Sequence, residues 1–184
     1  MRNFTNESRA DLLAKMVEIA RDAGALIMRH YAGDIERRQK TDRSPVTAAD
    51  EEAERLIIAR LSEAAPGIPI VAEEQAAAGA LPDIAEGVFF LVDPLDGTKE
   101  FLSKNGEFTV NIALVEHGLP AAGVVFAPAI GRMFWGANGQ AFEETASSGH
   151  VKSIATRDAP KEGMIAIASR SHRDRFTEEF LALY

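Results

Sequence analysis

The chain has 184 residues and a net charge of −8, with 20 lysines and arginines against 28 aspartates and glutamates, and it contains no cysteine. Its 46% hydrophobic and 26% charged residues are typical of a globular protein and exclude a disordered, collagen-like or coiled-coil chain. The negative net charge disfavours nucleic-acid binding. No apolar run approaches the roughly 18 residues of a membrane span. Because cysteine is absent, a thiolate metal site and a cysteine nucleophile are excluded.

Two amphipathic helices are predicted in the first third of the chain. Apolar residues recur at helical spacing from Ser8 to Tyr31, and Gly33 stands just past the end. A polar loop from Glu36 to Pro45 follows, with a short basic stretch that is best interpreted as solvated. The second helix starts at Thr47, where Thr47 and Asp50 have the spacing of a capping pattern, and it stops at Pro66-Gly67.

The remaining chain alternates strands with turn residues, which predicts an α+β or α/β arrangement of helices layered on a sheet. The uninterrupted apolar run at Val88 to Val92 predicts a strand covered on both faces. Other predicted strands are Ile68 to Ala72, Phe108 to Val115, Ala121 to Ala127, Arg132 to Gly136 and Met164 to Ala168, with a last helix from Arg173 to Leu183. This final β–α pair is either a terminal docking element or the opening of a second domain, and the sequence alone favours neither.

The segment with the clearest chemistry runs from Asp93 to Thr98, directly after an apolar strand. Two aspartates three residues apart are expensive to bury unless metal or hydrogen bonds compensate them. Gly97 lets the backbone approach a ligand, and free N–H groups at Gly97 and Thr98 would face an anion if a helical turn begins there. Carboxylate oxygens that can bind a metal, beside N–H groups that can bind an anion, suit a magnesium-bound phosphate. The alternative without a ligand is an ordinary aspartate-rich turn that closes the strand.

Several other residues have two interpretations. Glu73 and Glu74 end the earlier strand, and they are either solvated charge or a source of a third carboxylate for a metal site. Asp50 is either a helix-start residue or part of that site, and Ser169 to His172 could hold phosphate or cap a helix. A haloacid-dehalogenase-type phosphatase is the nearest enzymatic rival, although its two aspartates are separated by one residue and those here by two.

At these residues the sequence resembles the inositol monophosphatase superfamily of lithium-sensitive, magnesium-dependent phosphomonoesterases. The resemblance rests on Val46 to Asp50, on the pair Glu73-Glu74 and on Asp93 to Thr98, in that order. Lys99-Glu100-Phe101, the runs Lys40 to Asp50 and Asn105 to Leu114, and Ser169 to His172 resemble its bacterial 3′(2′),5′-bisphosphate nucleotidase branch.

The resemblance implies a layered αβαβα sugar-phosphatase-like fold and a site that binds Mg²⁺. Glu73, Asp93 and Asp96 would bind metal through carboxylates and Leu95 through its carbonyl, while Asp50 and Thr98, with Glu73, would serve catalysis. The implied substrate-binding residues are Glu73, Asp96, Gly97, Thr98, Lys40 and Ser169. The implied reaction removes the 3′-phosphate of adenosine 3′,5′-bisphosphate, or of its sulfated precursor, in sulfur metabolism. The resemblance also implies a cytoplasmic location, and it is compatible with peripheral contact with the inner membrane and with a homodimer.

One family signature, a Trp-Asp motif from the second domain, is missing, because the single tryptophan is Trp135 and Gly136 follows it. We therefore expect residues 1–146 to form an N-terminal metal- and phosphate-binding domain and residues 147–184 to begin a truncated second α/β domain. The alternatives are an inositol-monophosphatase-type sugar phosphatase and a fragment that binds phosphate without turnover.

Overall fold

The computed structural model describes residues 4–33, 37–39, 45–146, 148–161, 163, 165–168 and 174–183. The chain divides into two compact units, Met1–Ile154 and Ala155–Tyr184. The helices are α1 Asn6–Ala32, α2 Ala48–Ala64, α3 Glu73–Ala77, α4 Thr98–Leu102 and α5 Arg175–Leu181, with a 3₁₀ turn at Pro128–Ile130. The strands are β1 Arg37–Gln39, β2 Pro45–Thr47, β3 Ile70–Ala72, β4 Val88–Asp96, β5 Thr109–Glu116, β6 Leu119–Ala127, β7 Arg132–Ala137, β8 Gln140–Thr145 and β9 His150–Ile154.

Seven strands of the first unit form one sheet in the order β3-β4-β5-β6-β7-β8-β9. Only β3 and β4 are parallel, and each later strand pairs antiparallel with the one before it. Helix α1 packs on β5, β6 and β7, and α2 packs beside it against β4. The core therefore lies between two long helices and one face of the sheet, which confirms the predicted helix-on-sheet layering.

The two predicted helices are confirmed, and their ends follow local rules. Thr5 caps α1 by accepting a hydrogen bond from the Ser8 N–H, and Gly33 ends it. Thr47 and Asp50 form a reciprocal capping box at the start of α2. This box fixes the Asp50 side chain at the first turn of α2, at the edge of the sheet that carries the site.

The expectation that β4 is covered on both faces is wrong for the residues that the structure describes. Val88, Phe90 and Val92 are buried under the helices, but Leu91 on the opposite face is 49% exposed. Strand β4 is also longer than predicted and extends through Asp96. Its pairing with β5 shifts register between Asp93 and Asp96, around Pro94, which has no N–H to donate to the ladder.

Four strands, β1, β2, β8 and β9, fall where none was predicted, because their sequences are largely polar and their pairing is not visible in a local pattern. Strands β8 and β9 extend the sheet at one edge. Strand β1 lies in the predicted polar loop and pairs antiparallel with β2, which begins at the last residue of that loop, Pro45, and ends at Thr47. The residues between these two short strands lie outside the described ranges.

In the second unit, α5 confirms the predicted final helix, with Asp174 as its N-cap. The predicted strand at Met164 to Ala168 is wrong for residues 165–168, which form no strand; Ile167 is 95% exposed. A strand needs a neighbouring strand for its N–H and C=O groups, and the described part of this unit contains no strand. The predicted domain boundary after residue 146 remains a prediction.

Candidate active site

The parallel pairing of β3 with β4 brings two acidic residues together that are far apart in sequence. Ala72 lies opposite Val92, so the next residues along the two strands, Glu73 and Asp93, come side by side at the same edge of the sheet. A hydrogen bond joins their carboxyl groups, and the Asp96 charge lies close enough to act on Asp93. Glu73 is exposed as a residue, yet its carboxyl group reaches the half-buried Asp93.

Burial, together with the charges of Glu73 and Asp96, raises the pKa of Asp93 to about 8. A hydrogen bond from the Leu95 N–H to Asp93 Oδ1, at 3.2 Å, acts in the opposite direction. The two neighbouring carboxyl groups thus crowd Asp93 strongly enough to disfavour its ionised form. Crowding of this kind is typical of a site that holds a cation.

Asn111 lies opposite Asp93 on β5, next to the same carboxylates. Its Nδ2 donates to Asp96 Oδ2 at 3.3 Å, while its Oδ1 is buried and has no hydrogen-bond partner. A buried acceptor without a donor costs about 1–3 kcal/mol. Asn111 lies in the run Asn105 to Leu114, but no role was predicted for it from the sequence. Its amide side chain in the middle of an otherwise apolar strand is the sequence feature that could have indicated a functional residue.

The crowded carboxylates and the unpartnered Asn111 oxygen fit a divalent cation by their chemistry. Across the described ranges, no three Asp, Glu or His side chains are already arranged as a coordination shell. Glu73 and Asp93 instead share their hydrogen bond, so metal binding would replace that contact with contacts to the ion.

Asp50 and Thr98 form the second part of the site. Thr98 Oγ1 donates to Asp50 Oδ1 at 3.1 Å and lies 3.3 Å from the Leu95 carbonyl oxygen. The other oxygen, Asp50 Oδ2, accepts from the Thr47 N–H at 2.8 Å and from the Thr47 hydroxyl. Asp50 is 2% exposed, and this burial raises its pKa, while the hydrogen bonds from Thr47 and Thr98 counteract the increase.

Gly97 makes the turn between the aspartates and α4 possible. Its φ of 95° lies in the left-handed region, and a Cβ there would stand 2.9 Å from the Glu107 carbonyl oxygen. Helix α4 begins at Thr98, as the free N–H groups predicted for this turn require, and no side chain caps its first turn.

The structure therefore brings together Asp50, Glu73, Asp93, Leu95, Asp96, Gly97 and Thr98. Lys40 and Ser169, predicted to bind substrate, lie outside the described residues. Sequence reasoning also missed Glu54, a buried carboxylate one helical turn after Asp50. The sequence feature that could have indicated its importance is a charged residue on the apolar face of α2, between Ala53 and Ile57.

Comparison with known proteins shows what this arrangement is similar to. The chain is 44% identical over 172 residues to the 3′(2′),5′-bisphosphate nucleotidase CysQ of Salmonella typhimurium, an alignment that covers 92% of this chain and 68% of that protein. The crystal structure of CysQ from Bacteroides thetaiotaomicron superposes with a TM-score of 0.73 at 30% identity, covering 95% of this chain and 68% of the other.

A second solved structure matches a smaller part of this chain. The inositol monophosphatase of Thermotoga maritima has a TM-score of 0.65 at 31% identity, covering 72% of this chain and 51% of its own. The chain thus spans about two thirds of the length of the nucleotidases and about half of that enzyme. Residues 9–184 match the profile of the inositol monophosphatase family, and the chain belongs to that family.

Proposed function

We propose that this chain carries the metal and catalytic residues of a Mg²⁺-dependent phosphatase that removes the 3′-phosphate of adenosine 3′,5′-bisphosphate, or of its sulfated precursor. The observation that supports this most strongly is the meeting of the Asp50–Thr98 pair with the carboxylates of Glu73, Asp93 and Asp96 at one edge of the sheet. The substrate is proposed from the relatives that are named 3′(2′),5′-bisphosphate nucleotidase.

The cation would be held by the carboxylates of Glu73, Asp93 and Asp96 and by the Leu95 carbonyl oxygen. All four are hard oxygen donors, which Mg²⁺ prefers. When bound, Mg²⁺ supplies positive charge that stabilises the phosphate oxygens and the departing oxygen. The protein side of the site keeps these donors in place through Asn111, which donates to Asp96, and through the Leu95 N–H, which donates to Asp93.

The Asp50–Thr98 pair accepts the proton that the attacking water loses. Thr98 Oγ1 takes that proton and passes its own to Asp50 Oδ1, which lies 3.1 Å away. The water oxygen then forms a bond to phosphorus, the bond from phosphorus to the 3′ oxygen breaks, and the departing oxygen takes a proton from solvent. Thr47 holds the other Asp50 oxygen, so the carboxylate is oriented before substrate arrives.

The phosphate itself would be bound by the N–H groups of Gly97 and Thr98, because the first turn of α4 has no side-chain cap. Lys40 and Ser169 are proposed as further substrate contacts on the strength of the family resemblance.

The experiment compares phosphate release by the 184-residue chain from adenosine 3′,5′-bisphosphate and from inositol 1-phosphate, with Mg²⁺ and with a chelator. We expect release only with Mg²⁺ and faster release from the nucleotide. Asp93→Asn should reduce release at least 10²-fold and weaken Mg²⁺ binding measured by calorimetry, because a carboxylate donor is lost. Glu63→Gln, an exposed charge change on α2, is the matched control and should leave both quantities unchanged.

Each result bears on a different part of the proposal. Asp93→Asn turning over at the wild-type rate would place the metal site elsewhere. Faster release from inositol 1-phosphate would assign the other substrate class. Binding of Mg²⁺ and nucleotide by calorimetry without phosphate release would show a binding site rather than an enzyme.

No helix within the described ranges has both the length and the apolar character needed to cross a bilayer. A cytoplasmic location, peripheral contact with the inner membrane and a homodimer remain proposals based on the resemblance. Cell fractionation and light scattering would test them.

A further inference from the structure

Glu54 is a buried carboxylate that the proposed reaction does not use. It is 4% exposed and lies on α2 one turn after Asp50, on the helix face that packs toward the site. Burial of an ionised carboxylate is costly unless hydrogen bonds compensate it. Its contacts therefore show what the residue does in the fold.

The Glu54 carboxylate accepts hydrogen bonds from the first turn of α3. Oε2 accepts from the Glu74 N–H at 2.6 Å, and Oε1 accepts from the Gln75 N–H at 3.0 Å. The N-cap residue of α3 is Ala72, which has no side-chain acceptor of its own. Glu54 thus caps α3 from another helix, with charge-assisted hydrogen bonds to two N–H groups that the helix itself cannot satisfy.

This cap bears on the site because Glu73 is the first residue of α3. The orientation of the first turn determines where the Glu73 side chain points, and that side chain contacts Asp93. Helix α2 therefore holds both parts of the site: Asp50 holds Thr98, and Glu54 holds the turn that presents Glu73. Because one rigid helix carries both contacts, it keeps the Asp50–Thr98 pair and the Glu73 carboxylate at a constant separation.

We propose that Glu54 is a positioning residue for the metal site: by capping α3 it directs the Glu73 carboxylate toward Asp93, and so it sets the affinity of the site for Mg²⁺. This inference rests on the proposed function. Residues that orient metal ligands typically change metal affinity about 10–100-fold when they are replaced.

The test measures Mg²⁺ binding by calorimetry and amide hydrogen exchange in the metal-free 184-residue chain. Glu54→Ala should weaken Mg²⁺ binding at least about tenfold and speed exchange at the Glu74 and Gln75 amides. Glu54→Asp keeps the charge but is one methylene shorter, so it should behave like the alanine variant. Glu54→Gln keeps the reach and one acceptor oxygen, so it should retain more affinity than either.

Ile57→Val is the matched control, because Ile57 is fully buried on the same helix but leaves the α3 N–H groups untouched. It should lower the stability of the protein and leave Mg²⁺ affinity unchanged. Wild-type affinity in Glu54→Ala or Glu54→Asp, or an equal loss in Ile57→Val, would overturn the inference and leave the proposed function standing. A wild-type chain that binds no Mg²⁺ would instead refute the proposed function, and this inference with it.

Discussion

Replacing Gly97 by alanine tests the turn that carries Asp96 and Thr98. The residue has a φ of 95°, and a left-handed backbone costs a non-glycine residue about 1–2 kcal/mol. The new Cβ would also stand 2.9 Å from the Glu107 carbonyl oxygen and 3.3 Å from Phe108 Cα. Overpacking against fixed neighbours costs about 1–3 kcal/mol more, so Gly97→Ala should lose about 2–5 kcal/mol of unfolding free energy.

Gly79→Ala separates the two causes. Gly79 has a φ of +82°, but nothing lies within 4 Å of its added Cβ, so this variant should lose only about 1–2 kcal/mol. Urea unfolding can be followed by the fluorescence of Trp135, the single tryptophan, which lies in β7 of the first unit. Equal losses in the two variants would refute the close approach of Gly97 to the Glu107–Phe108 backbone. A larger loss in Gly97→Ala should be accompanied by weaker Mg²⁺ binding, because the turn must move.

Two further predictions concern single side chains. Thr98→Val removes the hydroxyl that donates to Asp50, so it should lower turnover about 10²–10⁴-fold with little change in Mg²⁺ affinity. Thr98→Ser keeps a hydroxyl and should retain activity. Loss of Mg²⁺ binding in the valine variant would contradict the role assigned to Thr98. Hydrogen bonds from Lys152 and Arg132 lower the pKa of Glu143 below its ordinary 4.5, so this residue stabilises the fold above that pH, and the contribution is lost as the pH falls through the lowered value. Urea unfolding between pH 3 and about 7 should therefore show a steeper loss of stability on acidification in the wild type than in Glu143→Gln; parallel curves would contradict the ion pairs.

Elements with a strong local pattern could be predicted from the sequence. Helices α1 and α2 have apolar residues at helical spacing, and β4 to β7 are apolar runs between turn residues. Strands β8 and β9 escaped prediction because their polar side chains resemble a loop until a neighbouring strand pairs with them. The predicted strand at residues 165–168 failed for the converse reason, since an apolar pattern forms no strand without a partner.

The sequence by itself determined the parts of the site that are contiguous in the chain. Asp93 to Thr98 form one turn because Pro94 and Gly97 restrict or permit the backbone there, and Asp50 is held by Thr47 three residues earlier. These are short-range effects of residue chemistry, so they are visible in a local pattern. Family membership could be recognised for the same reason, because its motifs are short and ordered.

Only the tertiary structure decided which of these parts meet. The parallel register that sets Ala72 opposite Val92 places Glu73 beside Asp93, and the packing of α2 against β4 brings Asp50 to Thr98. The cap that Glu54 places on α3 depends on the same packing. These contacts join residues 20 or more positions apart in the chain, and they form only when the helices and strands bury their apolar faces together.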